Sequence, residues 1–319
     1  MRTIPGVRPA ALLAFSLTGC ATLASFSPPP QRGTVDVSGL VDAPGDGSHA
    51  FVRLVVADGV ARAEVRRAPR EGPSELVTAL PDDVAHALAL EAERLGAAPR
   101  PLDVVALVRR LAPDALAGFP QTPPPFATPE PDASGTAWRL PGASGTPLLL
   151  AWDGDAGAVQ LRDAAGGPSV TVASLSPGAA PYAAGLVLLG RGRAVLAAGE
   201  ARAGEGVVSR ADSLWPLDLA RGEAMLHNTH ALAHYAAGDL SAALRELSRA
   251  VAADATCVDA QYNLASLRAL TGDEAGAVEA LRLAATLDPR RVALLAAGDD
   301  DLRDLRRRAD VREILQLPR

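Results

Sequence analysis

The chain has 319 residues, 48% of them hydrophobic, which is enough to bury a core and leaves room for more than one. Its net charge is -6, so no basic surface invites nucleic acid. All 31 basic residues are Arg, which excludes a phosphate loop built on Lys, and no other cofactor motif is present.

Residues 1–19 read as a secretory signal. Arg2 and Arg8 precede an apolar run over residues 10–17 that is too short to span a bilayer. The run ends in LTGC, residues 17–20: a leucine, two small residues and Cys20. This box resembles the signal of bacterial lipoproteins. The resemblance implies cleavage before Cys20, lipidation of its thiol and acylation of its new amine. Several acyl chains on one residue anchor stably where a single one does not. Ala21 stands where an Asp would favour inner-membrane retention, so the resemblance leans toward an outer-membrane anchor facing the periplasm. The other cysteine is Cys257, so a lipidated Cys20 leaves no intramolecular disulfide.

Residues 20–33 form a small, polar, Pro-rich tether. Residues 34–118 read as a small α+β module. TVDVSGLV and AFVRLVVADGVARAEVRR are strands, with Asp58-Gly59 signalling a tight hairpin. PDDVAHALALEAERLG is a helix that starts at Pro81, carries acidic Asp82 and Asp83 at its positive end and stops at Gly96. Its stripe is Val84, Leu88, Ala92 and Leu95. DVVALVRRLAP is a second helix, with Asp103 as N-cap and Pro113 as its stop.

Residues 119–135 contain six prolines and form a stiff extended linker. Residues 136–212 follow as short apolar runs separated by DGDAG, AAGGP, PGAAP and GRG, the rhythm of an antiparallel meander. Asp153 and Asp155 begin like a calcium loop, but the remaining ligands are missing and a hairpin turn is the better reading.

From Ala224 the chain turns Ala-rich and repeats at a shift of 34 residues: AMLHNTHALAHYAAGDLSAALRELSRAVAADATC is followed directly by VDAQYNLASLRALTGDEAGAVEALRLAATLDPRR. Gly272-Asp273, Ala277, Leu281, Ala284 and Asp288 in the second copy match Gly238-Asp239, Ala243, Leu247, Ala250 and Asp254 in the first. A helix–turn–helix period of this length resembles tetratricopeptide repeats. The large aromatic near the start of each first helix in that family is replaced by His227 and Gln261. Residues 213–291 are thus expected to form the repeat helices. Residues 292–319 resemble the helical cap that ends such arrays, with Leu302, Leu305, Val311, Ile314 and Leu315 as its apolar side.

Three histidines, His227, His230 and His234, stand at i, i+3, i+7 in the first repeat helix, with Glu223 on the same face. His227 and His234 lie about 10 Å apart along a straight helix, too far to share one ion whose nitrogens sit about 2 Å from it. An adjacent pair could bind only with ligands from another element. The favoured reading is a polar face docking onto the β module, with no metal assigned.

The expected fold class is therefore α+β: a lipid-anchored tether, a small α+β module, an antiparallel β-meander and a C-terminal pair of tetratricopeptide-like helical hairpins with a cap. No catalytic residue is identifiable. The resemblance implies a non-enzymatic envelope lipoprotein, a scaffold that binds envelope proteins along the concave face of the repeats. That face would carry Met225, Asn228, Leu232, Tyr235, Asp259, Tyr262, Ser266 and Ala269. The alternatives are an enzyme with its site in residues 34–212, or a metal-binding protein on the histidine face.

Overall fold

The computed structural model describes residues 34–316 apart from positions 71, 97, 99–101, 122–136, 154–157, 175–181, 191 and 205–206. The lipobox with Cys20, the tether, most of the Pro-rich linker and Asp155 lie outside the described residues.

The chain is α+β. Among the described residues eleven strands form two sheets. Strands β1 (Val35–Asp42), β2 (His49–Ala57), β3 (Val60–Ala68) and β4 (Glu75–Ala79) make a meander, and β9 (Tyr182–Gly190), β10 (Arg193–Gly204) and β11 (Val207–Asp218) make another. The two meanders join through a parallel pairing of β1 with β11, giving the order β4-β3-β2-β1-β11-β10-β9. A separate four-stranded antiparallel sheet holds β5 (Ala137–Pro141), β6 (Pro147–Asp153), β7 (Ala158–Asp163) and β8 (Ser169–Ser174) in sequence order. The stretches expected as two modules on either side of the linker therefore share one sheet, and the expected 136–212 meander is divided between two. The boundary at residue 213 falls inside β11.

Local chemistry explains the turns and caps. Asp58 and Gly59 both take positive φ, 52° and 75°, the geometry a two-residue hairpin between right-twisted strands requires. Helix α1 (Asp82–Leu95) starts after Pro81 and ends at Gly96, whose φ is 64°. Helix α2 (Val104–Leu111) is capped by Asp103, which accepts the Ala106 N–H. Both helices bury Val84, Leu88, Ala92, Val104 and Val108 against β1–β3. α2 comes so close to β1 that a Cβ on Gly39 would lie 2.6 Å from Val104 Cγ1. A buried ion pair completes this layer. Arg210 on β11 bonds to Asp212 at 3.1 Å and donates to the carbonyls of Gly96 and Ala98, while Asp212 accepts the Leu102 N–H.

Four long helices follow: α3 (Leu219–Ala236), α4 (Leu240–Ala253), α5 (Val258–Leu270) and α6 (Glu274–Leu287). Asp218, Asp239 and Asp273 cap α3, α4 and α6 through their side chains. Gly238 and Gly272 take φ of 80° and 88° at the two hairpin turns. Ala243 and Ala277, both fully buried, allow the paired helices to approach closely. α7 (Pro289–Gly298), two short 3-10 turns and α8 (Ala309–Ile314) close the array. Leu302, Leu305, Val311 and Leu315 are buried in the same core as the hairpins, and Ile314 packs against it. No helix among the described residues is long and apolar enough to cross a membrane.

Helix α3 carries the array onto the four-stranded sheet. Leu219 and Leu226 enter the core of Trp138, Leu150 and Leu161. Gly222 permits the approach: a Cβ there would lie 2.6 Å from Val172 and 3.1 Å from Leu161. This docking places Glu223, His227 and His230 against the turns of that sheet.

Candidate functional site

The site is built around one face of α3, where three of its side chains meet groups from β5–β6, β7 and α4. Glu223, 2% exposed, accepts the amides of Ala143 and Ser144 at 2.7 and 2.8 Å, so its carboxylate grips the β5–β6 turn. Gly142 makes room for it, since a Cβ there would lie 2.9 Å from Glu223 Oε1.

One turn further on, His227 is 1% exposed. Its Nε2 lies 3.0 Å from Ser144 Oγ and 3.8 Å from Glu223 Oε1, and its Nδ1 lies 2.7 Å from Oε2 of Glu246 on α4. His230 packs edge-on to the His227 ring at 6.2 Å between centroids. Its Nδ1 is 3.6 Å from Asp163 Oδ2 at the end of β7 and 3.9 Å from Glu246 Oε2. The other oxygen of Glu246 is held by Arg249 at 2.6 Å.

The electrostatics follow from this geometry. Burial raises the Glu223 carboxyl, but the contact with His227 and the amides of Ser144 and Ala143 outweigh it and hold it down at about 2. Burial lowers the His227 imidazole, but Glu223 and Glu246 on either side outweigh that and raise it.

The distances from Ser144 to His227 to Glu246 are those of a nucleophile–base–carboxylate relay. Two features oppose that use. The amides nearest Ser144, which would have to stabilise an oxyanion, are committed to Glu223. Nε2 of His227 also lies near Glu223 Oε1 as well as Ser144 Oγ, so it does not face the hydroxyl alone.

Of the histidine-face residues singled out in the sequence, the structure brings together His227, His230 and Glu223, while His234 is exposed and apart. It adds Glu246, Asp163 and Ser144. Ser144 lies in a Gly/Pro-rich turn with no motif around it. Glu246 has the look of a solvated helix charge, and Asp163 sits at a strand end.

The expected binding face is already occupied by the chain itself. Tyr262 Oη and Ser266 Oγ donate to Asp299 Oδ2 at 2.6 and 2.7 Å, and Tyr235 Oη donates to Asp301 Oδ2 at 2.8 Å. Asn228 accepts from Asn263 at 2.8 Å, and Asp259 pairs with Arg291 at 2.6 Å. Leu232 is buried, and Met225 and Ala269 are half-buried. Burial raises the Asp301 carboxyl, aided by the charges of Asp299 and Asp300, although the Tyr235 hydrogen bond works against it. Burial raises both tyrosine hydroxyls, aided by Asp301 and Asp299 at Tyr235 and by Asp299 at Tyr262.

A cleft of about 580 Å³ lies between α1 and α2. Glu91, Arg94, Asp103 and Arg110 line it, and Arg94 is tied to Glu91 at 2.8 Å. Charges of both signs surround it, so it selects no ligand class.

No family model, no curated protein and no solved structure matches the chain.

Proposed function

We propose that the protein is a non-enzymatic envelope lipoprotein, anchored through Cys20, whose stacked helical hairpins bind an acidic segment of a partner protein. The 34-residue period, the positive-φ glycines and the buried alanines between paired helices support assigning the hairpins to the tetratricopeptide class. The observation that carries the binding reading is the seating of Asp299 and Asp301 on Tyr262, Ser266 and Tyr235. Aligned hydroxyl donors on the first helices of the two hairpins receive the carboxylates of a 3-10 turn and its cap. A partner presenting the same spacing of acidic residues competes with the chain's own segment for those donors.

The test opens the face and offers it the segment in trans. In the full-length protein carrying Asp299→Ala and Asp301→Ala, a labelled peptide of residues 295–305 binds and changes its fluorescence anisotropy, while the same peptide with both aspartates as asparagine binds at least tenfold more weakly, about 1.4 kcal/mol. Equal binding of both peptides, or of neither, refutes the acidic-segment reading. The anchor is tested separately: Cys20→Ser moves the protein out of the membrane fraction, and unchanged fractionation refutes it.

A further inference from the structure

We propose that His227, His230, Glu246 and Asp163 form a zinc site that ties α3 and α4 to the end of β7. The ligand-capable atoms of His227, His230 and Glu246 lie within 4.8 Å of one another. Asp163 joins them through Oδ2, 3.6 Å from His230 Nδ1. Four donors around a tetrahedral zinc, each about 2.0 to 2.1 Å from the ion, are separated by about 3.3 Å. Three of the separations, 2.7, 3.6 and 3.9 Å, bracket that value, while Asp163 stands outside the group of three and has to swing toward it to complete the tetrahedron. The two histidines are one turn apart, not two, and the remaining ligands come from other elements.

Three further observations point the same way. Oδ1 of Asp163 is buried, and no donor among the described residues reaches it. A buried carboxylate oxygen without a donor is costly, and a water or a cation at this carboxylate relieves it. The outer partners are also those that metal ligands use. Ser144 Oγ lies on the far nitrogen of His227 and fixes the ring with Nδ1 inward, and Arg249 holds the far oxygen of Glu246. Finally, Glu223, Glu246 and Asp163 put three carboxylates around the two imidazoles, with Arg249 as the cation paired to Glu246. A divalent ion offsets that excess. Two imidazole nitrogens with two carboxylate oxygens suit zinc, whereas calcium and magnesium take all-oxygen shells. His230, Glu246 and Asp163 are each 12 to 19% exposed, which leaves the ion a way in.

The test uses the full chain purified in detergent, with zinc as the probe and a chromophoric chelator as competitor. One equivalent of zinc binds to the wild type. His230→Ala and Asp163→Asn each weaken binding at least tenfold, Ser144→Ala weakens it by about tenfold, and His234→Ala leaves it unchanged. Zinc-edge X-ray absorption on the unmodified protein guards against variants that fail to fold: it shows imidazole scattering and a first shell of nitrogen and oxygen at about 2.0 Å. No stoichiometric zinc, an all-oxygen shell, or affinities unmoved by both His230→Ala and Asp163→Asn overturn the site. The peptide assay on the opposite face is independent of these outcomes, so failure of one leaves the other standing.

Discussion

Helix α3 and the hairpins it begins carry two polar junctions, and they satisfy their carboxylates in different ways. On the sheet side, Glu223 is held by two backbone amides and faces a histidine, and its carboxyl is driven down to about 2. On the other side, Asp299 and Asp301 are held by hydroxyls and one backbone amide, and the carboxyl of Asp301 is driven up. Amides on a fixed turn are preorganised donors that stabilise charge. Hydroxyls are neutral and rotatable, and they leave the charge partly uncompensated. The first junction therefore holds its carboxylate more firmly than the second.

The largest expected effect is at the first junction. Glu223→Ala strands the amides of Ala143 and Ser144 and leaves His227 beside Glu246 alone. The loss is about 3 to 5 kcal/mol, the range for breaking a buried charged pair, and it is read from denaturant midpoints. A loss no larger than that of Asp299→Ala would erase the contrast. Asp299→Ala removes the acceptor of two buried hydroxyls and costs about 2 kcal/mol, with amide exchange rising along residues 299–302.

The pH dependence sharpens the same contrast. The folded-state carboxyl of Asp301 titrates above its unfolded value, facing Asp299, Asp300 and the Tyr235 hydroxyl. Its contribution is therefore fully present below the unfolded value and is lost as pH rises through the folded one. Amide exchange in segment 299–302, corrected for intrinsic rates, shows a tighter segment in mild acid than at neutral pH. Asp301→Asn removes that dependence, and a segment that loosens on acidification would reverse the assigned sign. The smallest effect is that of Tyr235→Phe, about 1 kcal/mol for a single hydrogen bond. It should loosen the 299–302 segment without moving the midpoint of the sheet-side docking.

Much of the helical part was legible because its signals are local. Gly238 and Gly272, the capping Asp239 and Asp273 and the small Ala243 and Ala277 each announce their role within one turn. The same holds for Asp58-Gly59 and for Asp103. The sheets were legible only as runs. β4 is short and mostly exposed, and β11 hides its character behind a buried Arg210 and Asp212 and an exposed Pro216. Pro216 fits there because β1 pairs β11 only over Arg210–Asp212, so the proline lies where that side of the strand needs no amide. Which strands share a sheet is decided by pairings far apart in sequence, and no local pattern records them. The candidate site divides in the same way. His227 and His230 are visible as a helix face, whereas Glu246, Asp163 and Ser144 join them only through the docking that Gly222 allows.

The parallel pairing of Val35 with Arg210 also sets an order of events. The chain is made from its amino end, so β1 appears long before its neighbour β11. Until then one side of a hydrophobic strand carries unsatisfied amides and carbonyls, a template for any passing strand. Contacts of such long separation close slowly. The first four strands therefore wait as a half-sheet with a bare edge, and this interval exposes the chain to aggregation.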